Sequence, residues 1–191
     1  SLTAIGMLRS ILCASALAAL VTTCTPPALA ATRYVNSASA QCSNTGPGTA
    51  TAPYCTISAA ASIAVAGETV LVASGIYREG VTVRNSGTPE APIVFAAADG
   101  ANVIVTGARY GFNISAGRWI TLRGFTVDDT LASGIFVTGS SHITISNNHV
   151  TRAGKPTPGY VRAGISLNGT TDSLVSGNLA DYNTDAGIQM D

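Results

Sequence analysis

"GIFVTGSSHITISNNHVT", residues 134–151, contains three short runs in which apolar and polar residues alternate. In one run, Ile143 and Ile145 fall on one side of an extended chain and Thr144 falls on the other, which is the period of a strand with one buried face. No run is long enough to form the helix that joins parallel strands in an α/β unit. The stretch therefore predicts three short strands in succession.

The same pattern recurs along the chain at regular intervals. The motif Gly-apolar-x-apolar begins at Gly111, Gly134, Gly164 and Gly187, in steps of 23, 30 and 23 residues. A repeat of this length, built from short strands without helices, is typical of a solenoid. The sequence thus predicts an all-β fold, a parallel β-helix with three short strands in each coil of about 23 residues.

Equivalent positions of successive coils should stack on one another, about 4.8 Å apart. Two apolar columns are expected in the interior, namely Ile135, Ile165 and Ile188, and Leu122, Ile145 and Val175. Asn148 and Asn178 should stack at a turn, where side-chain amides can form hydrogen bonds from one coil to the next. Polar faces built from Ser, Thr and Asn need few ions, which accounts for the low content of charged residues.

One coil is longer than its neighbours by seven residues. The interval from Gly134 to Gly164 exceeds the flanking intervals by this amount, and the segments that precede each glycine place the extra residues within "TRAGKPTPGYVRAG", residues 151–164. Prolines and glycines let this chain segment leave the solenoid without disturbing the strands on either side. We interpret the segment as a functional loop rather than a spacer.

The first thirty residues have the features of a secretory signal peptide. Met7 and Arg9 precede the apolar run "ILCASALAALV", and Ala28-Leu29-Ala30 fits the site at which such peptides are cleaved. The apolar run is too short to be a transmembrane anchor. We therefore interpret residues 1–30 as a signal peptide with extra residues before Met7, and we expect a secreted protein, extracellular or periplasmic.

The remaining chain is long enough for one domain. We expect residues 31–67 to form an N-terminal cap with a loop and a short helix, and residues 68–191 to form a β-helix that is truncated in mid-strand at Asp191. The net charge is zero and no basic patch stands out, so nucleic acid is not expected as a partner. We expect a monomer, without a membrane span in the mature protein.

Two local features are expected in the cap. Cys42 and Cys55 are the only cysteines after the expected cleavage site, and an exported protein meets an oxidising compartment, so we predict a disulfide between them. Thr56 is a suitable N-cap for an alanine-rich helix that ends at Gly67. Such a helix would cover the first coil, whose open sheet edge otherwise invites aggregation.

Residues 33–107 carry further motifs, which include "GETV" at 67–70, "GIYRE" at 75–79 and "SGT" at 86–88 ahead of "API" at 91–93. This segment resembles the N-terminal part of secreted right-handed parallel β-helix proteins of the pectate-lyase-like superfamily. That superfamily includes polysaccharide lyases of the pectate-lyase family 9 type and of the alginate-lyase and chondroitinase-B type. The resemblance implies a right-handed β-helix and leaves the activity open, because one fold hosts many functions.

Charged residues concentrate in one of the three connections of each coil. Seven of the ten charged residues after Arg118 lie between the third strand of a coil and the next Gly-apolar strand, and they are Asp128, Asp129, Arg152, Lys155, Arg162, Asp181 and Asp185. Equivalent positions of a solenoid line one face. The sequence therefore predicts one ionic groove edge that carries both signs, with Asp129 and Arg152 stacked as an exposed ion pair.

An ionic edge of this kind suits a lyase that acts on a uronate-containing glycan. β-Elimination needs the sugar carboxylate neutralised, by Ca²⁺ or by Arg, and it needs a base. The residues that we predict to be catalytic are Lys155, Arg152, Arg162 and Asp185. Those predicted to bind substrate are Asp128, Asp129, Asp181 and Tyr160, and Asp128 with Asp129 could hold Ca²⁺. The expected partner is an acidic polysaccharide of the pectate, alginate or glycosaminoglycan class.

Two other functions stay open. A non-catalytic glycan-binding or adhesin-like β-helix would show the same fold and the same low charge. A polygalacturonase-like hydrolase is suggested by "NTD" at Asn183–Asp185, although Ala186 stands where that family has glycine directly after the aspartate. "DAGIQ" at 185–189 likewise lacks two carboxylates of the family 9 motif Asp-Asp-Gly-x-Asp. His142 and His149 are expected to be outward-facing spacers.

Overall fold

The computed structural model describes residues 31–155 and 162–191. This part of the chain contains one helix and sixteen strands, which form three parallel sheets. Sheet A contains β1 (Thr32–Val35), β2 (Thr69–Val72), β5 (Ile93–Ala97), β8 (Arg118–Arg123), β11 (Ser141–Ser146) and β14 (Leu174–Ser176). Sheet B contains β3 (Gly75–Tyr77), β6 (Val103–Thr106), β9 (Thr126–Asp128), β12 (His149–Thr151) and β15 (Leu179–Asp181). Sheet C contains β4 (Val81–Val83), β7 (Phe112–Ser115), β10 (Ile135–Thr138), β13 (Ile165–Asn168) and β16 (Ile188–Met190).

The chain visits the three sheets in a fixed order. From β2 onward it passes through sheets A, B and C in turn, so that each coil contributes one strand to every sheet. Each strand pairs in parallel with its counterparts in the coils before and after it, and about four turns separate β2 from β14. The prediction of an all-β parallel β-helix with three short strands per coil is confirmed.

The predicted interior columns are confirmed by the strand register. Ile135 pairs with Ile165, which pairs with Ile188. In sheet A, Ile145 lies between Leu122 and Val175. Ile135, Ile165, Leu122 and Ile145 are fully buried. These side chains fill the interior of the solenoid with apolar residues at equivalent positions of successive coils, whereas Ile188 in the last coil is 43% exposed.

The predicted asparagine stack is also confirmed. The Asn148 side chain donates from Nδ2 to Asn178 Oδ1 over 3.0 Å and to the Leu122 carbonyl over 3.1 Å. Its Oδ1 accepts from the Phe125 backbone N–H at 3.0 Å. Asn148 is 2% exposed, so these bonds satisfy backbone groups that water does not reach.

The repeated glycine before each strand of sheet C has a steric cause. A Cβ atom added at Gly134 would lie 2.3 Å from Val150 Cγ1, and one at Gly111 would lie 2.4 Å from Val127 Cγ1. Val127 and Val150 are fully buried in sheet B. The corner between sheets B and C is therefore packed so closely that a side chain on the glycine would collide with the core.

The short helix α1 (Ile57–Ile63) packs against β1, β2 and β4, at the N-terminal edge of sheets A and C. Thr56 is its N-cap and accepts from the Ala59 N–H, as predicted. The two oxygens of Glu79 accept from the next two helical N–H groups, those of Ile57 and Ser58. The helix therefore begins where two side chains satisfy its free N–H groups.

The prediction that the helix ends at Gly67 was wrong, because its last residue is Ile63. Ala64 already has an extended conformation, and its carbonyl accepts from Asn85. The Val65 N–H donates to Glu68 Oε2 at 2.9 Å rather than to a helical carbonyl. Side chains from outside the helix thus bind the backbone groups that would have continued it.

The loop before the helix is closed by the Cys42–Cys55 disulfide, which confirms the predicted pairing. The strand β1 in this region pairs in parallel with β2. Arg33, on β1, forms two hydrogen bonds with the Glu68 carboxylate, at 2.6 and 2.7 Å. The division at residue 67 and the signal peptide stay predictions, and residues 1–30 lie outside the described chain. Within the described ranges, no helix is long and apolar enough to cross a membrane.

Candidate functional site

The connections from sheet B to sheet C form what we call the ridge, which consists of residues 129–134, 152–155, 162–164 and 182–187. The connection from Thr151 to Ile165 exceeds the one from Asp128 to Ile135 by seven residues, which confirms the predicted insertion. Residues 156–161 lie outside the described residues, and the predicted substrate-binding Tyr160 is among them. The ridge carries, or directly adjoins, the seven charged residues that the repeat places in this connection.

Two ion pairs join neighbouring coils at the ridge. Arg152 Nη2 donates to Asp128 Oδ2 at 2.5 Å, and Lys155 Nζ donates to Asp129 Oδ1. The ammonium of Lys155 lowers the pKa of Asp129 below its ordinary value of 3.8, with a smaller contribution from Arg152. The predicted ion pair between Asp129 and Arg152 was therefore wrong. Asp129 pairs with Lys155 instead, and Arg152 pairs with Asp128.

Asp185 fixes the end of the inserted loop. Its Oδ2 accepts from the Arg162 backbone N–H at 2.6 Å. The Arg162 guanidinium in turn donates from Nη1 to the Leu131 carbonyl at 2.7 Å, across to the preceding coil. Asp185, predicted to be catalytic, thus lies where it positions Arg162.

The "NTD" segment contacts the coil below it through all three side chains. Asn183 accepts from the Ala153 N–H at 2.9 Å and donates to the Val150 carbonyl at 3.0 Å. Thr184 Oγ1 lies within hydrogen-bonding distance of the Ala153 and Gly154 carbonyls. Together with the bond from Asp185, these contacts give the segment a structural role at the corner of the solenoid, which weakens the case for a hydrolase motif.

Asp181 has a partner that sequence reasoning missed. His149 Nε2 lies 2.9 Å from Asp181 Oδ1, and this bond, with help from Thr151, holds the pKa of Asp181 below 3.8. His149 points outward as expected, but rather than a spacer it is one partner of a hydrogen bond that joins β12 to β15. His142 stacks on Trp119 with ring centroids 3.8 Å apart, on the outer side of sheet A.

The ionic residues do not enclose a metal site. In the described part of the chain, no group of three or more His, Cys, Asp or Glu side chains could hold a metal ion. Asp128 and Asp129 each have a cation against one oxygen. The two carboxylates therefore do not fit a calcium site by themselves, and the use of Ca²⁺ stays a prediction.

One side of the ridge borders a groove on the outer face of sheet C, with a volume of about 410 Å³. Its lining includes Arg109, Tyr110, Phe136, Arg162, Ser166, Asn168, Gln189 and Asp191. The rings of Tyr110 and Phe136 are stacked, with centroids 4.8 Å apart and planes 14° apart. The Arg109 guanidinium lies 5.5 Å from the Tyr110 ring centroid. We call this the sheet-C groove.

The other side of the ridge borders a second groove, on the outer face of sheet B, with a volume of about 420 Å³. Its lining consists of Ile76, Arg78, Ile104, Thr106, Asp128, Asp129 and Arg152. We call this the sheet-B groove. The residues predicted to share one ionic edge are thus divided, because Arg162 lines the sheet-C groove while Asp128, Asp129 and Arg152 line the sheet-B groove.

Sequence reasoning missed the aromatic pair of the sheet-C groove. Phe136 is an outward residue of β10, which the alternation of the strand places away from the core. Tyr110 belongs to the preceding coil and follows Arg109 directly in the sequence. The sequence pattern can indicate that each side chain points outward, but it does not show that the two rings meet. Only the stacking of the coils brings them together.

A family model for the right-handed β-helix region of Pel9A-like proteins matches residues 34–189. The chain belongs to the Pel9A-like β-helix family. This Pel9A-like chain is 35% identical over 124 residues to the uncharacterized protein YwoF of Bacillus subtilis (strain 168), a match that covers 56% of the chain and 26% of that protein. The chain therefore spans about a quarter of this relative.

Two solved structures are similar in fold to the Pel9A-like chain. A GH136 lacto-N-biosidase from Eubacterium ramulus gives a TM-score of 0.56 at 14% identity, over 75% of this chain and 30% of that one. An alginate lyase from Paenibacillus sp. str. FPU-7 gives a TM-score of 0.51 at 18% identity, over 64% of this chain and 54% of that one. At these identities the likeness shows a shared β-helix fold.

Proposed function

We propose that this protein is a secreted polysaccharide lyase that binds a uronate-containing glycan in the sheet-C groove and cleaves it by β-elimination. One observation carries the proposal. Arg109 and Arg162 both line a groove whose lining also includes the stacked, partly buried rings of Tyr110 and Phe136. Membership of the Pel9A-like family and the similarity in fold to an alginate lyase support the same class of reaction.

The groove offers contacts for both the apolar ring face and the carboxylate of a uronate sugar. Aromatic rings provide a flat apolar surface for the C–H faces of a pyranose. Arginine presents several donors in a fixed fork that fits a carboxylate, and it stays charged at all relevant pH values. The bond from Arg162 to the Leu131 carbonyl holds its guanidinium in place before a ligand arrives, which lowers the entropic cost of binding.

In the proposed reaction, a base removes the proton on the carbon that bears the sugar carboxylate. The electron pair of that C–H bond forms the new carbon–carbon double bond, and the 4-linked oxygen leaves with the bonding pair and takes up a proton from water. Negative charge grows on the carboxylate in the transition state, so a nearby guanidinium stabilises that state more than the ground state. Arg162 and Arg109 have this role in our proposal.

The base is proposed to be Lys155, on the ridge beside the inserted loop. A lysine that acts as a base must first lose its proton, and the Asp129 carboxylate lies against the protonated amine. Lys155 would therefore have to leave Asp129, which lines the sheet-B groove, and pass its proton to solvent when the glycan binds in the sheet-C groove. Arg152 lies against Asp128 on the sheet-B side, which makes it a weaker candidate for catalysis than Arg162.

A non-catalytic glycan-binding module is the second candidate. It is favoured by the engagement of Lys155 with Asp129 and of Asp185 with the Arg162 backbone, since neither group stands unengaged above the groove. Both candidates use the sheet-C groove and both bind an acidic glycan. They differ only in whether the bound polymer is cleaved.

The test is to incubate the full-length protein with pectate, alginate and chondroitin, with and without a chelator. A lyase gives unsaturated products that absorb in the ultraviolet, whereas a hydrolase gives new reducing ends without that absorbance. We expect absorbing products from at least one of the three polymers, and Arg162→Gln should slow their formation about a hundredfold, as for the loss of one transition-state donor.

The matched control is Arg123→Gln, which removes an exposed arginine from the end of β8 on sheet A and should leave the rate unchanged. Binding of a polymer without any product would support the glycan-binding module. The proposal is refuted if the protein neither binds nor cleaves any acidic glycan.

A further inference from the structure

The two ends of the inserted loop meet at one backbone oxygen of the preceding coil. The Lys155 N–H donates to the Leu131 carbonyl at 3.2 Å, and Arg162 Nη1 donates to the same oxygen at 2.7 Å. A carbonyl oxygen has two lone pairs and can accept both bonds. The two nitrogen atoms are therefore no more than about 6 Å apart. The backbone of the proposed base thus lies beside the guanidinium that is proposed to bind the sugar carboxylate.

A glycine allows the two ends to approach so closely. Gly154, which directly precedes Lys155, has a φ of +83°, in the left-handed region that favours glycine. A Cβ atom at this position would lie 2.7 Å from Arg162 Cβ and 3.1 Å from Thr184 Oγ1. The end of the loop and the following coil therefore pack against the start of the loop without room for a side chain.

The following coil holds the start of the loop through two side chains. Thr184 Oγ1 lies 2.8 Å from the Gly154 carbonyl and 3.1 Å from the Ala153 carbonyl, so its proton can be donated to either. Asn183 Oδ1 accepts from the Ala153 N–H at 2.9 Å. These bonds fix the backbone from which the Lys155 side chain extends.

The next residue of the same coil holds the end of the loop. Asp185 Oδ2 accepts from the Arg162 backbone N–H at 2.6 Å, and a charged acceptor strengthens such a bond. Three consecutive side chains thus bind both ends of a segment that belongs to the coil before them, and we call residues 183–185 the clamp. Asp185 is not among the residues that line the sheet-C groove, so it acts on that groove through Arg162.

We propose that the clamp is a positioning device for the elimination, and that it holds Lys155 and Arg162 where both can act on one sugar. The inference rests on the proposed function, because it takes Lys155 as the base and Arg162 as the ligand of the carboxylate. Asp185 acts through its acceptor oxygen and transfers no proton. The clamp matters because a displacement of about 1 Å at a catalytic group can cost about a hundredfold in rate.

The test compares Asp185→Ala with Asp185→Asn in the full-length protein, on whichever of pectate, alginate and chondroitin it cleaves. Alanine removes the acceptor, whereas asparagine keeps an acceptor oxygen but cannot exchange a proton as a carboxyl group does. We expect Asp185→Ala to lower kcat about a hundredfold. Asp185→Asn should restore most of the rate and leave the dependence of kcat/KM on pH unchanged.

A second pair of variants and a control for stability accompany this comparison. Thr184→Val removes the hydroxyl and should slow cleavage, whereas Thr184→Ser keeps the hydroxyl and should not. The control is Ser173→Ala, which removes a hydroxyl that accepts from the Ile143 N–H of the neighbouring coil at another corner of the solenoid. This variant should lower the urea midpoint without changing kcat, because Ser173 lies away from the inserted loop.

Failure of the proposed function and failure of the clamp give different results. If the unaltered protein cleaves none of the three polymers, the proposed function fails and the inference fails with it. If the unaltered protein cleaves a polymer, a full rate in Asp185→Ala overturns the inference alone. An Asp185→Asn variant as slow as Asp185→Ala also overturns it, because the carboxyl group itself would then be required.

Discussion

At the scale of single residues, the ridge is an arrangement of matched charges that stay in contact with water. The Lys155 and Asp129 side chains are 50% and 51% exposed. Exposed pairs of this kind add little to stability, because water screens them and ordering two side chains costs entropy. Their effect is on the ionisation and the position of each group. Lys155 in particular is held at the ridge by a carboxylate that a bound glycan could replace.

The pairing predicts how Asp129 titrates. Lys155→Met removes the cation that lowers the pKa of Asp129, so this pKa should rise toward its ordinary value of 3.8. The measurement is an NMR titration of the Asp129 carboxyl carbon in both proteins. Lys155→Arg retains the charge and should preserve most of the shift. An unchanged Asp129 pKa in Lys155→Met would show that Lys155 is not its partner in solution.

Asp181 predicts a dependence of stability on pH. His149 lowers the pKa of Asp181 in the folded protein, so the ionised carboxylate stabilises the fold. This contribution is complete above the unfolded pKa and is lost as the pH falls through the lower folded pKa. Asp181→Asn should therefore lower the urea midpoint at neutral pH, and the two midpoints should converge in strong acid. A difference of equal size at both pH values would contradict the assignment.

At the scale of elements, the turn between sheets A and B is held by side-chain amides. Asn148 bonds to backbone groups of the coil below and to Asn178 in the coil above, and it is almost fully buried. Asn148→Ala would leave at least two buried backbone groups without partners, which costs about 3 kcal/mol in the free energy of unfolding. Chemical denaturation of the variant measures this loss directly.

Asn178→Ala is the matched control for that substitution. Asn178 occupies the same place one coil later and is only partly buried, and its Nδ2 donates to the Ile145 carbonyl. Water can replace part of what it loses, so we expect a cost of about 1 kcal/mol. Equal losses of unfolding free energy in the two variants would mean that burial does not determine how much each asparagine of the stack contributes.

At the scale of the whole molecule, the sequence predicts the fold well because the solenoid repeats one local rule. The glycine before each strand of sheet C, the alternating isoleucines, and Asn148 and Asn178 at two successive turns all indicate contacts between neighbouring strands of the solenoid. Gly134 and Asn148 show this directly, since Gly134 is required by the close approach of Val150 on sheet B and Asn148 is required by Phe125, one repeat earlier. The end of α1 was harder to predict, because Glu68 and Asn85 terminate it through tertiary contacts.

The site was only partly predictable, because the sequence shows which connection a residue belongs to and not which side of it the side chain takes. Arg152 and Arg162 belong to the same connection but line different grooves. Tyr110 and Phe136 carry no common motif and meet only because their coils stack. His149 on β12 reaches Asp181 on the neighbouring strand β15, two positions beyond the residue with which His149 pairs. No local sequence pattern indicates this contact.

The central claim is that the sheet-C groove receives an acidic glycan. The most direct measurement is a crystal structure of the full-length protein with a bound oligouronate. The account predicts a sugar ring over Tyr110 and Phe136, with its carboxylate within hydrogen-bonding distance of Arg162 or Arg109. An oligouronate bound in the sheet-B groove, or elsewhere on the solenoid with the sheet-C groove empty, would contradict it.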